Sequence, residues 1–173
     1  MDKENKLIVM VGLPGSGKST FAEKLEKSRY NYRLVSTDKI RSMFGNEESQ
    51  ENNYQVFDIA YNKIEHYLNL GYNVIFDATN LRLKYRRKLF KRFNEFDQVA
   101  VFMNTNIEEC KKRNNNRPRH VPLEVIENME KTMIRPTLEE GYSGIVIIDG
   151  ENIRNSRYET KGISYTIKRI KKE

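Results

Sequence analysis

Apolar and polar positions along this chain follow two distinct periods. Short apolar runs at Leu7–Val11, Arg33–Ser36, Asn73–Asp77, Gln98–Met103 and Ile145–Ile148 predict strands. Between them apolar residues recur three and four apart, which predicts helices over 18–28, 38–44, 54–70, 82–93, 107–115 and 123–133. The clearest helix starts at Tyr54, where Phe57, Ala60/Tyr61, Ile64 and Tyr67/Leu68 form one stripe before Gly71 stops it. Strands alternating with longer helices are the signature of an α/β fold, a parallel sheet wrapped by helices. With right-handed crossovers, functional residues should gather beyond the carboxyl ends of the strands. The chain shows no internal repeat, low-complexity stretch or Pro/Gly/Ser-rich linker. It therefore reads as one domain over residues 1–173, ending in a basic tail over 150–173.

The first strand runs into Gly12-Leu-Pro-Gly-Ser-Gly-Lys-Ser19, with Thr20 behind it, and then into a helical pattern with Phe21 and Leu25 four apart. Strand, G-x-x-x-x-G-K-S loop and helix in that order are the context a P-loop needs. Gly12, Gly15 and Gly17 let successive backbone N–H groups point inward at phosphate oxygens, so Gly12, Pro14, Gly15, Ser16 and Gly17 form the cradle. The helix N-terminus beginning near Thr20 adds partial positive charge on the same side. Lys18 follows the outer phosphates, and the Ser19 hydroxyl is placed to ligate Mg²⁺. Nucleoside triphosphate binding is the expectation, with ATP and Mg²⁺ as cofactors. The fold expected with it is a P-loop NTPase, a five-stranded parallel sheet in the order 2-3-1-4-5.

Composition adds one bias and several exclusions. Lys plus Arg exceed Asp plus Glu by 31 to 24 in 173 residues, a net charge of +7, which makes polyanions natural partners. The single cysteine, Cys110, excludes an internal disulfide and a cysteine metal cluster, and its helical position suits a small buried side chain. His66 and His120 lack partners at zinc-ligand spacing. The polar N-terminus and the absence of an apolar run of 18 residues predict no leader and no membrane span, hence a cytoplasmic protein.

Three further stretches fall at strand ends or between helices. The second strand ends Val35-Ser-Thr-Asp38-Lys-Ile-Arg41. Asp38 reads either as a base for an attacking hydroxyl or as the N-cap of the next helix. Arg41, three residues on, shares its face and suits an acceptor phosphate. The third strand ends Phe76-Asp77-Ala-Thr79-Asn80-Leu-Arg82, placing an acidic residue where P-loop enzymes hold the magnesium shell. Thr79 and Asn80 would lie beside the site as neutral hydrogen-bonders. In the following basic helix most charges read as a solvated face, while Arg82 and Arg86 are near enough to the strand end to meet an anionic substrate. Finally, Cys110-Lys-Lys-Arg113-Asn-Asn-Asn-Arg117-Pro-Arg119-His120-Val121-Pro122 interrupts two helical patterns with arginines and prolines. It reads as a lid over about 110–135 that brings positive charge to a transferring phosphoryl group, or as a solvated helix–helix loop.

Taken together, GLPGSGKST, STDKIR, NVIFDATNLR, RNNNRPRHVPLEVIENMEKTM and PTLEEGYSGIVII resemble the kinase domains of phage and animal polynucleotide 5′-hydroxyl kinases. The resemblance runs collinearly from Leu7 to Ile148. It implies that Asp38 is the general base on the 5′-hydroxyl and that Arg41 contacts the neighbouring phosphate. It makes Arg117 the lid arginine on the transferring phosphate, flanks the adenine with Arg113 and Val121, and places Asp77 and Asn80 in the second acidic motif. Members of that family often carry a 3′-phosphatase with a D-x-D-x-T/V centre; this sequence has none, which implies a kinase alone, working beside a ligase or a separate phosphatase. Oligomeric state is not legible. The loop 45–53, with Glu47, Glu48 and Glu51, matches no part of the family pattern.

Two other functions fit part of the pattern. A kinase of a small metabolite or nucleoside would use the P-loop and Asp38 but would not require Arg41. A nucleotide-gated switch would transfer nothing; the guanine motif N-K-x-D is absent, and Asn62-Lys-Ile-Glu65 lies mid-helix.

Overall fold

A computed structural model of the chain describes residues 5–44, 50–117, 120–150, 157–160 and 163–166. Strand β1 (Lys6–Val11) forms the centre. Its side chains alternate between two cores, as a pleated strand covered on both faces requires. Leu7, Val9 and Val11 join the larger core with Val74, Phe76 and Phe102. Ile8 and Met10 join the smaller one with Ala22 and Ile75.

β2 (Tyr32–Ser36), β3 (Asn73–Asp77), β4 (Asp97–Asn104) and β5 (Gly144–Asp149) complete the parallel part of the sheet in the order β2-β3-β1-β4-β5. That is the expected order. The sheet then continues where a basic tail was expected: β6 (Arg157–Thr160) pairs antiparallel with β5, and β7 (Ile163–Thr166) with β6, making seven strands among the described residues. The two added strands are four residues each, too short for their period to stand out among the surrounding charges.

The helices are α1 (Lys18–Ser28), α2 (Thr37–Arg41), α3 (Gln50–Asn69), α4 (Leu83–Arg92), α5 (Ile107–Asn115) and α6 (Leu123–Lys131). α3 begins four residues before the expected Tyr54, because its first turn is wholly polar and carries no apolar period. Its innermost stripe is Val56, Ala60, Ile64 and Leu68, all essentially inaccessible, with Phe57, Tyr61 and Tyr67 packed at the edges. Each large side chain so buried contributes about 1.5–3 kcal/mol. Gly71, at φ 85°, ends the helix: its N–H bonds Leu68 O at 3.0 Å and the Tyr72 N–H bonds Tyr67 O at 3.0 Å. This paired closure needs the left-handed residue that glycine supplies. No helix among the described residues is long and apolar enough to cross a membrane. The acidic loop beyond Phe44, including Glu47 and Glu48, lies outside the described residues, as do Pro118 and Arg119.

Candidate active site

The P-loop is shaped by contacts that a sequence motif cannot reveal. The Ser16 N–H bonds Leu13 O and the Gly12 N–H bonds Thr79 O, both at 3.1 Å, so the loop is tied to itself and to the end of β3. Gly15 (φ 80°) lies so close to α5 that a Cβ there would stand 2.2 Å from the Cys110 carbonyl oxygen. From the other side Thr105 Oγ1 donates to Ser16 O at 2.9 Å. Gly17, also left-handed at φ 99°, is the N-cap of α1 and offers no side chain to its first turn. The first-turn amides of an 11-residue helix are thus left for an anion.

Lys18 is buried, and its ammonium donates to Leu13 O at 2.7 Å and to Ser16 Oγ at 3.5 Å. Burial lowers its pKa from 10.5 to about 8, against the opposing pull of the Asp77 and Asp38 carboxylates. Next to it, Ser19 Oγ donates to Asp77 Oδ2 at 2.8 Å. Asp77, 4% exposed at the end of β3, also accepts from Ser36 Oγ at 3.3 Å. A hydroxyl and a carboxylate on one edge of a phosphate cradle suit Mg²⁺, which takes one or two protein oxygens and leaves its other positions to phosphate and water. The described residues contain no cluster of three or more His, Cys, Asp or Glu that would hold a metal by itself.

Asp38 is not a helix cap. Ser36 fills that position, with Oγ accepting from the Lys39 N–H at 3.5 Å, and Asp38 is the second residue of α2. Its carboxylate is half-exposed in the cleft between two guanidinium groups. Arg41 Nη1 lies 3.0 Å from Oδ1, and Arg117 Nη2 lies 3.8 Å from Oδ2. Arg41 is held from behind, where Nη2 donates to Asn53 Oδ1 at 2.9 Å.

Arg113 bridges α5 to the end of β5: its Nε lies 2.6 Å from Glu109 Oε1, and Nη2 donates to Gly150 O at 3.1 Å. Its Nη1 stands 3.8 Å from where a Cβ on Gly17 would be, so it overhangs the P-loop. Val121 is placed by a residue that the sequence did not single out. Asn114, fully buried, donates through Nδ2 to Val121 O at 2.8 Å and accepts the Val121 N–H on Oδ1 at 3.0 Å. One amide thereby closes the loop between α5 and α6. Nothing in the run Asn114-Asn-Asn116 distinguishes this asparagine from its neighbours.

Two expectations change, those for Arg86 and Arg82. Arg86 does not line the cleft. It is 1% exposed, and its guanidinium pairs with Glu140 at 2.7 Å twice and donates to Asn80 O, Leu81 O and Ile134 O between 2.9 and 3.0 Å. A guanidinium has five N–H donors, and these bonds, with Arg135 O at 3.5 Å, satisfy them. Arg82 is exposed at the N-cap of α4 and lies outside the cleft wall. Asn80 lines the cleft but adopts φ 49° and directs its Nδ2 to Met10 O at 2.8 Å, which fastens the loop after β3 to β1. From α4 it is Tyr85, Lys88 and Arg92 that reach the cleft. Their spacing of three and four marks one helical face, and that regularity was available in the sequence.

Lys18, Ser19, Asp38, Arg41, Asp77 and Arg117 line one open cleft of about 1720 Å³ that runs from the P-loop, past Asp38, to the wall formed by α3 and α4. A phosphate cradle with its lysine, a Ser–Asp pair, and the central sheet order β2-β3-β1-β4-β5 define the P-loop kinase fold. The chain belongs to the AAA domain family, whose model matches residues 7–136. It is 32% identical over 143 residues to the L-seryl-tRNA(Sec) kinase of Methanococcus maripaludis, across 75% of this chain and 53% of that one. A chain of the Pnkp1/Rnl/Hen1 RNA repair complex superposes with a TM-score of 0.68 at 27% identity, covering 74% of this chain and 43% of the other. A gluconokinase from Sinorhizobium meliloti shares the fold at 19% identity and a TM-score of 0.61, covering 85% of this chain and 83% of its own. The chain thus spans about half the length of the seryl-tRNA kinase and of the RNA repair chain.

Proposed function

We propose that this domain transfers the γ-phosphoryl group of ATP to the 5′-hydroxyl of a polynucleotide. The observation that carries the reading is the contact between Arg41 and Asp38 in the cleft. A base beside a fixed guanidinium suits a hydroxyl with a phosphate close by, which is what a 5′-terminal nucleotide within a strand presents. The 27% identity to a chain of an RNA repair complex supports the same reading, and the 32% identity to an L-seryl-tRNA(Sec) kinase supports a kinase whose acceptor is carried on a nucleic acid.

In this reading the P-loop amides and Lys18 bind the β- and γ-phosphates, and Arg113 and Val121 flank the base. Ser19, with Asp77 behind it, would hold Mg²⁺, which supplies charge neutralisation when bound. The acceptor hydroxyl oxygen forms a bond to the γ-phosphorus while the bond to the β–γ bridging oxygen breaks. ADP leaves, and the hydroxyl proton passes to Asp38. Arg117 bears on the charge of the transferring group. Functional partnership with a ligase or a separate 3′-phosphatase belongs to this proposal.

γ-labelled ATP offered with 5′-OH oligonucleotides, a nucleoside 3′-phosphate, a free nucleoside, gluconate, seryl-tRNA and buffer alone tests it. The expected result is label on the first two acceptors. Label on gluconate or free nucleoside alone assigns a small-molecule kinase, and label on seryl-tRNA alone moves the acceptor to the seryl hydroxyl. Phosphate release without an acceptor makes the domain an ATPase.

A further inference from the structure

The cleft is larger than an ATP site and one acceptor nucleoside need, since ligand pockets commonly occupy about 300–1,000 Å³. Its far half lies between α3 and α4 and has a consistent chemical arrangement. On α4, Lys88 and Arg92 share the face that lines the cleft, with Tyr85 at its head. One turn separates the two cations, about 6 Å along the axis, which matches roughly two stacked nucleotides at about 3.4 Å each. On α3, Tyr54 lines the same space and is 76% exposed, next to the Asn53 that holds Arg41. Tyr85 is 51% exposed. Two tyrosines left open to solvent inside a basic cleft are what base stacking requires.

The acidic groups fall on the opposite wall and set a direction. Asp58, on α3, lines the cleft and accepts from Asn62 Nδ2 at 3.4 Å. Glu65, also on α3, takes one side of Arg92 at 3.2 Å, and the Arg92 guanidinium lies 5.3 Å from the Tyr61 ring. A polyanion avoids the α3 carboxylates and tracks the α4 cations, which turns its bases toward the aromatic side chains.

We propose that this half of the cleft is a groove for single-stranded nucleic acid, binding the second and third nucleotides of a strand whose first nucleotide lies at Asp38 and Arg41. The placement of the 5′ end rests on the function proposed above. The groove itself rests on Tyr54, Tyr85, Lys88 and Arg92. It makes strand length, rather than the terminal nucleoside, the main source of acceptor affinity.

Binding of a nucleoside 3′-phosphate and of ribo- and deoxyribo-hexanucleotides with 5′-OH ends, measured by calorimetry and fluorescence anisotropy, tests the groove. Wild type should bind a hexanucleotide at least about tenfold more tightly than the mononucleotide, with affinity falling steeply in salt. Lys88→Glu and Tyr54→Ala should each remove about tenfold of the hexanucleotide affinity and change mononucleotide affinity less than about twofold. ATP affinity serves as the control for folding. Equal affinity of wild type for both lengths, or variants that weaken both acceptors alike, overturns the proposal, and so does a blunt duplex bound as tightly as the single strand. A hexanucleotide bound with the expected length dependence but never phosphorylated upholds the groove and sinks the kinase reading. A phosphorylated mononucleotide with no gain from length does the reverse.

Discussion

Arg117 reaches from the loop after α5 to within 3.8 Å of Asp38 Oδ2, so this arginine and the carboxylate at the head of α2 face each other across the cleft. Arg41 holds the other oxygen of the same carboxylate at 3.0 Å. The two cations converge on the group that the proposed function makes the proton acceptor. An incoming γ-phosphate offers Arg117 a stronger anionic partner, which would release one side of Asp38.

Asp38→Asn therefore separates base from scaffold. Ser36 is the cap of α2, and the pairs lost with Asp38 are exposed, so stability should change by less than about 1 kcal/mol. Losing a general base should lower kcat by about 10²- to 10⁴-fold. A thermal melt and a single-turnover rate on one 5′-OH oligonucleotide suffice. A normally melting, ATP-binding variant with an unchanged rate removes Asp38 from the mechanism.

Arg117→Ala should act on the rate more than on binding. The side chain is 41% exposed and its contact with Asp38 is long, so its ground-state role is small. Facing the transition state, an arginine can contribute about 10³-fold or more. Steady-state kinetics should show kcat reduced by that order with KM for ATP nearly constant. A raised KM at constant kcat assigns Arg117 to substrate binding instead.

Lys18 makes nucleotide affinity depend on pH in a defined direction. Its pKa is about 8 in the unliganded site, depressed by burial, and phosphate oxygens bring it back up. Above pH 8 ATP binding must then take up a proton, and affinity should fall by up to about tenfold per pH unit. Lys18→Arg stays charged throughout and should lose this slope. Stability of the unliganded protein runs the opposite way. The unfolded chain keeps the proton up to 10.5 and the native state only to about 8, so this group's contribution rises with pH across that interval. Calorimetric titrations from pH 7 to 9.5 read the binding, and urea melts read the stability.

Arg86→Met tests a structural assignment. Arg86 and Glu140 have side-chain exposures of 0% and 6%, and removing the cation leaves a buried carboxylate and several backbone carbonyls without their donor. The expected loss is about 3–5 kcal/mol of stability, with KM for the acceptor unchanged in the fraction that remains folded. A stable variant with a raised acceptor KM would return Arg86 to the substrate site.

Much of this molecule was legible in one dimension because its determinants are local. The G-x-x-x-x-G-K-S spacing, the five apolar runs and the helical stripe around Ile64 each occupy a few consecutive turns or strands, and the fold places them as expected. Asp77 was legible for the same reason: a strand end has a definite position relative to the loop beside it. What the tertiary structure decided was the choice among chemically equivalent neighbours. Arg82, Arg86 and Lys88 are alike in type, yet the fold makes one an exposed cap, one a buried tie to Glu140 and one a wall of the cleft. Asp38 stood as either base or cap until the turn at the end of β2 placed the cap at Ser36. Asn114 was one asparagine of three, and it acquired its role when the loop before α6 returned Val121 to within hydrogen-bonding distance. Periodicity reports which residues share a face, whereas what that face meets depends on partners distant in sequence, whose positions no local spacing encodes.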